Sequence, residues 1–138
     1  MKIIILGAGQ VGGTVAESLV SEQNDITVVD TDPARLHALQ DRLDLRTVVG
    51  FAAHPSTLIE AGIEDTDLLI AVTQSDETNL AACKVGKMLF NVPTRIARVR
   101  SRSILARPEL LTDEGFAVDY AISPEDIVTE AITRLIEF

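Results

Sequence analysis

Two patterns of apolar positions alternate along this chain. One is a short continuous run; the other is a longer segment whose apolar residues recur every three or four positions. Met1-Lys2-Ile3-Ile4-Ile5-Leu6 is the first run, with the length and β-branching of a strand buried on both faces. Further strands are expected at 26–29, 47–49, 67–72, 95–100 and 119–122, of which 26–29 and 67–72 are nearly all apolar. Between them, Val11, Val15 and Leu19 share one helical face, and Leu36, Leu39 and Leu43 share another. Asp32 followed by Pro33 reads as the cap and first position of that second helix. A short helix over 55–61 ends at Gly62, and a long one runs from Ser75 to about Phe90. A helix over 103–114 must be shortened or kinked by Pro108, and Ser123-Pro124 opens a last helix that reaches Phe138. Its apolar positions are Ile127, Val128, Ala131, Ile132, Leu135 and Ile136.

Six alternations of strand and helix predict an α/β fold, a parallel sheet with helices on both faces. The residues after the first strand refine this. Gly7-Ala8-Gly9-Gln10-Val11-Gly12 is a G-x-G-x-x-G between a strand and a helix, and Asp30 ends the second strand eighteen residues later. In such a turn Gly7 bends the chain, Gly9 lets a pyrophosphate approach the backbone, and Gly12 lets helix and strand pack closely. The phosphates meet unpaired N–H groups at a helix N-terminus. Asp30 accepts hydrogen bonds from a ribose 2′-hydroxyl. The expected architecture is therefore a doubly wound (Rossmann) six-stranded sheet of order 3-2-1-4-5-6, one nucleotide-binding domain over residues 1–138.

Ligands of such sheets lie beyond the carboxyl ends of the strands, where strand order reverses. The expected crevice lies between residues 7–12 and 73–79. Thr73 and Gln74 offer a hydroxyl, an amide and backbone groups there. Arg98 is the arginine expected to reach the ligand, and Arg100 is expected to be a surface charge. Asp76 is expected to cap the fourth helix, and the role of Asn79 is open. A 2′-phosphate beside Asp30 would be repelled, which argues against NADP and leaves NAD, NADH, ATP and ADP.

Charge and composition narrow the rest. The 138 residues carry a net charge of −9 with no basic run, so nucleic acid is not an expected partner. No segment has the length of a transmembrane helix, so direct membrane insertion is not expected, and the chain reads as cytoplasmic. Cys83, the only cysteine, sits in an apolar helical run and reads as core. His37 and His54 have no nucleophile or metal-ligand partners in the sequence, and no enzyme is expected. The competing reading is the cofactor domain of a truncated NAD-dependent oxidoreductase. The last helix is still amphipathic at Phe138, as in an N-terminal fragment of a longer chain.

Several patches together resemble the regulator-of-potassium-conductance (RCK) domains, the potassium-transport nucleotide-binding family. They are Ile3 to Gly12 with Val28-Val29-Asp30, Glu60 to Asp67, Ala71 to Asn79, Arg98-Val99-Arg100, and Ile122-Ser123-Pro124-Glu125. The resemblance covers the whole chain and extends to the cytosolic regulatory subunits of Trk potassium uptake systems. It implies a ligand-sensing regulator rather than an enzyme. Such domains pair, as a homodimer or a higher homo-oligomer, beneath a membrane potassium transporter subunit at the inner face of the membrane. Relatives specialised for ATP carry an arginine where Gln10 stands, which ranks NAD and NADH ahead of ATP and ADP. Calcium-gated relatives carry carboxylates where Arg98 and Arg100 stand, so no calcium or other metal site is implied. Many relatives have an acid where Phe51 stands; Phe51 either lies against an adenine or caps the sheet edge.

Overall fold

The computed structural model describes residues 1–21 and 23–122. The expected last helix and its apolar stripe lie outside the described residues. Six parallel strands form one sheet in the order β3-β2-β1-β4-β5-β6. They are β1 (Lys2–Leu6), β2 (Asp25–Asp30), β3 (Arg46–Val49), β4 (Leu68–Ala71), β5 (Thr94–Arg98) and β6 (Tyr120–Ile122). The crossovers carry α1 (Gln10–Leu19), α2 (Pro33–Arg42), α3 (Pro55–Glu60), α4 (Asp76–Phe90) and α5 (Arg102–Leu105). The doubly wound order expected from the apolar runs is the observed one.

β1 is central because every one of its apolar side chains has somewhere dry to go. Ile3 and Ile5 point into the core under α1 and α2, with Val15, Leu19, Leu36 and Leu39. Ile4 and Leu6 point to the opposite face, with Leu58, Ile63, Leu80 and Cys83 of the α3 and α4 side. This alternation is the two-residue period of a strand, here apolar on both sides. Each fully buried Ile or Leu contributes about 1.5–3 kcal/mol of burial free energy. β1 pairs with β2 from Lys2↔Asp25 to Leu6↔Val29 and with β4 from Ile3↔Leu68 to Leu6↔Ala71.

Three details differ from the pattern read in the sequence. β5 ends at Arg98, not at residue 100. The Arg100 N–H leaves the sheet direction and donates to the Asp76 carboxylate at 3.0 Å. Arg98 and Arg100 therefore do not share one strand face. The expected helix over 103–114 is two short pieces, α5 and a 3₁₀ turn over Pro108–Leu111. Pro108 has no N–H to continue α5, and Arg107 before it adopts φ −122°, ψ 77°, outside the helical region. Last, a buried arginine fastens the β5 end of the sheet. The Arg95 guanidinium is 3% exposed, and it donates to the carbonyls of Val92 and Ala117 and to Asp119.

Cys83 is fully buried on α4, as expected of a core residue. Burial pushes its thiol pKa from 9.0 to about 12, the Arg95 charge opposing the shift and Asp119 adding slightly to it. The folded state thus holds this proton more tightly than the unfolded chain. Its contribution to stability is complete below about pH 9 and is lost as pH rises from there towards 12. The native chain at pH 8 should leave Cys83 unlabelled by a maleimide over hours, and denaturant should expose one reactive thiol. Rapid labelling without denaturant would show that α4 opens locally.

Candidate nucleotide-binding site

The turn after β1 is shaped by two glycines that cannot be replaced in place. Gly7 adopts φ +111°, where a side chain is strained, and a Cβ there would come 3.0 Å from the Val72 carbonyl oxygen. A Cβ on Gly12 would stand 1.7 Å from the Gly7 carbonyl oxygen. Only bare backbone at both positions lets α1 leave the strand so closely. Gly9 differs: among the described residues beyond its chain neighbours, the space its missing side chain leaves is bordered by a guanidinium nitrogen of Arg35 at 3.7 Å. Gly9 is also the N-cap of α1, with no capping side chain and no acid in the first turn. The positive end of the helix dipole therefore faces the cleft with no acid of its own first turn opposing it.

Asp30, at the tip of β2, is held by the chain itself. One carboxylate oxygen accepts from the Ala8 N–H at 2.9 Å and the other from the Asp32 N–H at 2.9 Å. A carboxylate has about four acceptor positions, so two remain for a ligand hydroxyl pair. Across the cleft the loop after β4 is fixed by Asn79, which is fully buried. Its Oδ1 accepts from the Thr73 N–H at 2.9 Å and the Thr73 hydroxyl at 2.7 Å, and its amide donates to the carbonyls of Thr73 and Arg98. Asn79 is thus the brace that sets this loop against β5. The Thr73 hydroxyl is spent inside the loop.

Ser75, rather than Asp76, caps α4: its Oγ accepts from the Thr78 N–H at 3.1 Å. Asp76 instead accepts from the N–H groups of Arg100 and Ser101, clasping the exit of β5. Arg100 completes the clasp, its guanidinium donating to the Gln74 carbonyl at 2.8 Å. It is exposed, as expected of a surface charge, and it also lines the cleft. Arg98 is 4% exposed yet also reaches the cleft wall. Burial lowers its pKa below the ordinary arginine value, the neighbouring Arg100 charge adds to this, and Asp76 works against it. An anion entering the cleft would relieve the crowding of these two guanidiniums.

These parts enclose a cavity of about 450 Å³, within the range of small-molecule sites. Gly7, Gly9, Gln10, Val11, Asp30, Thr73, Gln74 and Arg98 all line it. Ala8 and Gly12 lie behind it, one bonded to Asp30 and the other packed on Gly7. Thr31, Asp32 and Arg35 also line it, and sequence reasoning placed none of the three in the site, reading Asp32 only as a helix cap. A second cavity of about 340 Å³ shares Asp30, Thr31, Thr73 and Gln74 with the first and continues to Phe51 and His54. The Phe51 ring is 62% exposed and tilted on His54 at 5.0 Å between centroids. It leaves a flat apolar face open above this second cavity.

A parallel sheet of order 3-2-1-4-5-6 with a glycine turn at the reversal defines a dinucleotide-type Rossmann domain. The chain belongs to the TrkA-N domain family, whose family model matches residues 3–124. The Trk system potassium uptake protein TrkA of Vibrio alginolyticus is 58% identical over 139 residues, covering 100% of this chain. The chain spans 30% of that relative's length. The Kef C-terminal domain of Shewanella denitrificans in its AMP-bound form has the same fold, at TM-score 0.73 and 20% identity. It aligns over 99% of this chain and 79% of its own. The GsuK channel bound to NAD aligns at TM-score 0.71 and 21% identity, over 88% of this chain and 21% of its own. Among the described residues no helix is long and apolar enough to cross a membrane.

Replacing Asn79 by alanine removes four hydrogen bonds at once and strands buried backbone groups of Thr73 and Arg98. Urea denaturation should show a loss of roughly 2–4 kcal/mol. A loss below about 1 kcal/mol would mean that the loop holds its shape without this brace.

Proposed function

We propose that this domain is a nucleotide-sensing regulator of a membrane potassium uptake system. It takes an adenine nucleotide, NAD or NADH ahead of ATP and ADP, in the cleft between the glycine turn and the loop after β4. The observation that carries this reading is the convergence of opposite chemistries in one cavity. A carboxylate with spare acceptor sites stands at the β2 tip, an uncapped helix N-terminus lies beside it, and guanidiniums face both. This is the pattern a ribose linked to a diphosphate requires. Gly7, Ala8, Gly9, Gln10, Val11, Gly12, Asp30, Thr73, Gln74 and Arg98 are its residues. Ala8 and Gly12 shape the turn, and the others face the ligand. NAD in the GsuK channel and AMP in the Kef domain support an adenine nucleotide here. The potassium assignment is supported by the TrkA relative, 58% identical.

Regulation follows from linkage. A nucleotide shifts a population of assembly geometries only by its differential affinity for them. The domain acts as a homodimer or a higher homo-oligomer at the inner face of the membrane, joined to a potassium transporter subunit. Nucleotide occupancy alters how the paired domains meet, and the transporter reads that change. The chemistry is binding without turnover.

Asp30→Ala should weaken NADH binding by about 1–3 kcal/mol in calorimetry, the range for hydrogen bonds to a charged group. The variant also loses the Ala8 and Asp32 contacts, so its melting temperature should fall as well. A lower melting temperature with unchanged affinity would reduce Asp30 to a structural staple. Incubating the chain with NADH and simple carbonyl compounds should leave the reduced-nicotinamide absorbance flat. Substrate-dependent oxidation, abolished in Gly9→Val, would favour the oxidoreductase reading instead.

A further inference from the structure

We propose that Arg35 is the side chain through which this cleft recognises the diphosphate of its nucleotide, an inference that rests on the nucleotide reading above. The positive charge that Gln10 does not supply at the glycine turn comes instead from α2. Among the described residues, its chain neighbours aside, a Cβ on Gly9 would find one atom within 4 Å, a terminal guanidinium nitrogen of Arg35. The space above Gly9 is where the backbone lets a pyrophosphate approach. Arg35 lines the cavity from the α2 wall, opposite Arg98 and Arg100 on the β5 side. A diphosphate over Gly9 would lie between cations on two walls.

The way Arg35 is held suits this role. Asp32 spends one carboxylate oxygen on the Ala34 N–H, capping α2, and turns the other to the Arg35 Nε at 3.7 Å. That pair is about half exposed at both ends and too long for a hydrogen bond. Such a pair contributes little to stability, so the guanidinium can turn to a phosphate without breaking a strong contact. Asp32 keeps it near Gly9 while the site is empty. Arg98 and Arg100 are differently placed: the first is nearly buried, and the second holds the Gln74 carbonyl. Arg35 is the cation of the cleft with the most freedom to move onto a ligand. Its planar fork of donors matches phosphate oxygens better than a point charge does.

The test is competition of ADP, NADH and adenosine against a fluorescent ADP analogue, using the whole chain and its Arg35→Gln and Arg42→Gln variants. Arg42 lies on the same helix, pairs with Glu17 and lines a neighbouring cavity between α1 and α2 rather than this cleft. Arg35→Gln should weaken ADP and NADH roughly tenfold or more, the scale of one charge-assisted hydrogen bond. It should leave adenosine within twofold and flatten the dependence of ADP affinity on salt, while Arg42→Gln changes none of these. Equal losses for adenosine and ADP would overturn the proposal by assigning Arg35 to the ribose. Unchanged ADP affinity in Arg35→Gln would overturn it outright, with the nucleotide reading intact. If the wild-type chain bound none of the three, the nucleotide reading would fall and this inference with it.

Discussion

The approach of α1 to the end of β1 sets the geometry on which everything around the cleft depends. With 1.7 Å between the Gly7 carbonyl oxygen and a Cβ placed on Gly12, no residue with a side chain fits without the helix moving away. The tight exit aims the N-terminus of α1 along the top of the sheet, beside the tip of β2. It also brings the Ala8 N–H within reach of Asp30, so one carboxylate ties the turn, the second strand and the start of α2 together. Widening the turn would therefore misplace the helix N-terminus and Asp30 in the same movement.

The opposite wall is built on another principle. There the backbone is braced by buried or half-buried polar side chains that cross between elements. Asn79 reaches from α4 to the carbonyl of Arg98, and Asp76 reaches from the first turn of α4 to the N–H groups of Arg100 and Ser101. For the fully buried Asn79 such contacts are costly to leave half made, which favours one loop conformation over its neighbours. The glycine wall is rigid by close packing, and the β4–β5 wall by hydrogen bonding. A ligand that bridges them touches two differently built supports.

Much of this was legible in the residues. Four apolar positions in a row at 3–6, three of them β-branched, read as a strand covered on both sides, and the glycine spacing placed the turn and Asp30 correctly. Asp32 and Pro33 marked the start of α2 where it is found. What escaped depended on distance in space rather than along the chain. Asp76 has an acid's ordinary place in a first helical turn, and nothing local says that it answers backbone groups beyond residue 99. Arg35 looks like any solvated arginine until the docking of α2 brings it over Gly9. Arg95 reads only as the start of a strand; that its guanidinium is buried, with carbonyl partners at Val92 and Ala117 on two separate loops, is visible only in the fold. Pro108 announced a break, but not that the chain would tighten into a 3₁₀ turn after it.

The central position of β1 has a consequence for how the chain is made. Its partner on one side, β2, follows within thirty residues, but Leu68 opposite Ile3 is synthesised 65 residues later. At 5–20 residues per second that interval lasts roughly 3–13 seconds. Once β2 has emerged, β1 has one paired edge and one bare edge of N–H and C=O groups for the remainder of that interval. A nascent β1-α1-β2-α2-β3 half is thus a sticky intermediate, open to pairing with another chain until β4 leaves the ribosome. The strand that gives the finished sheet its stability is, for those seconds, its greatest exposure to misassembly.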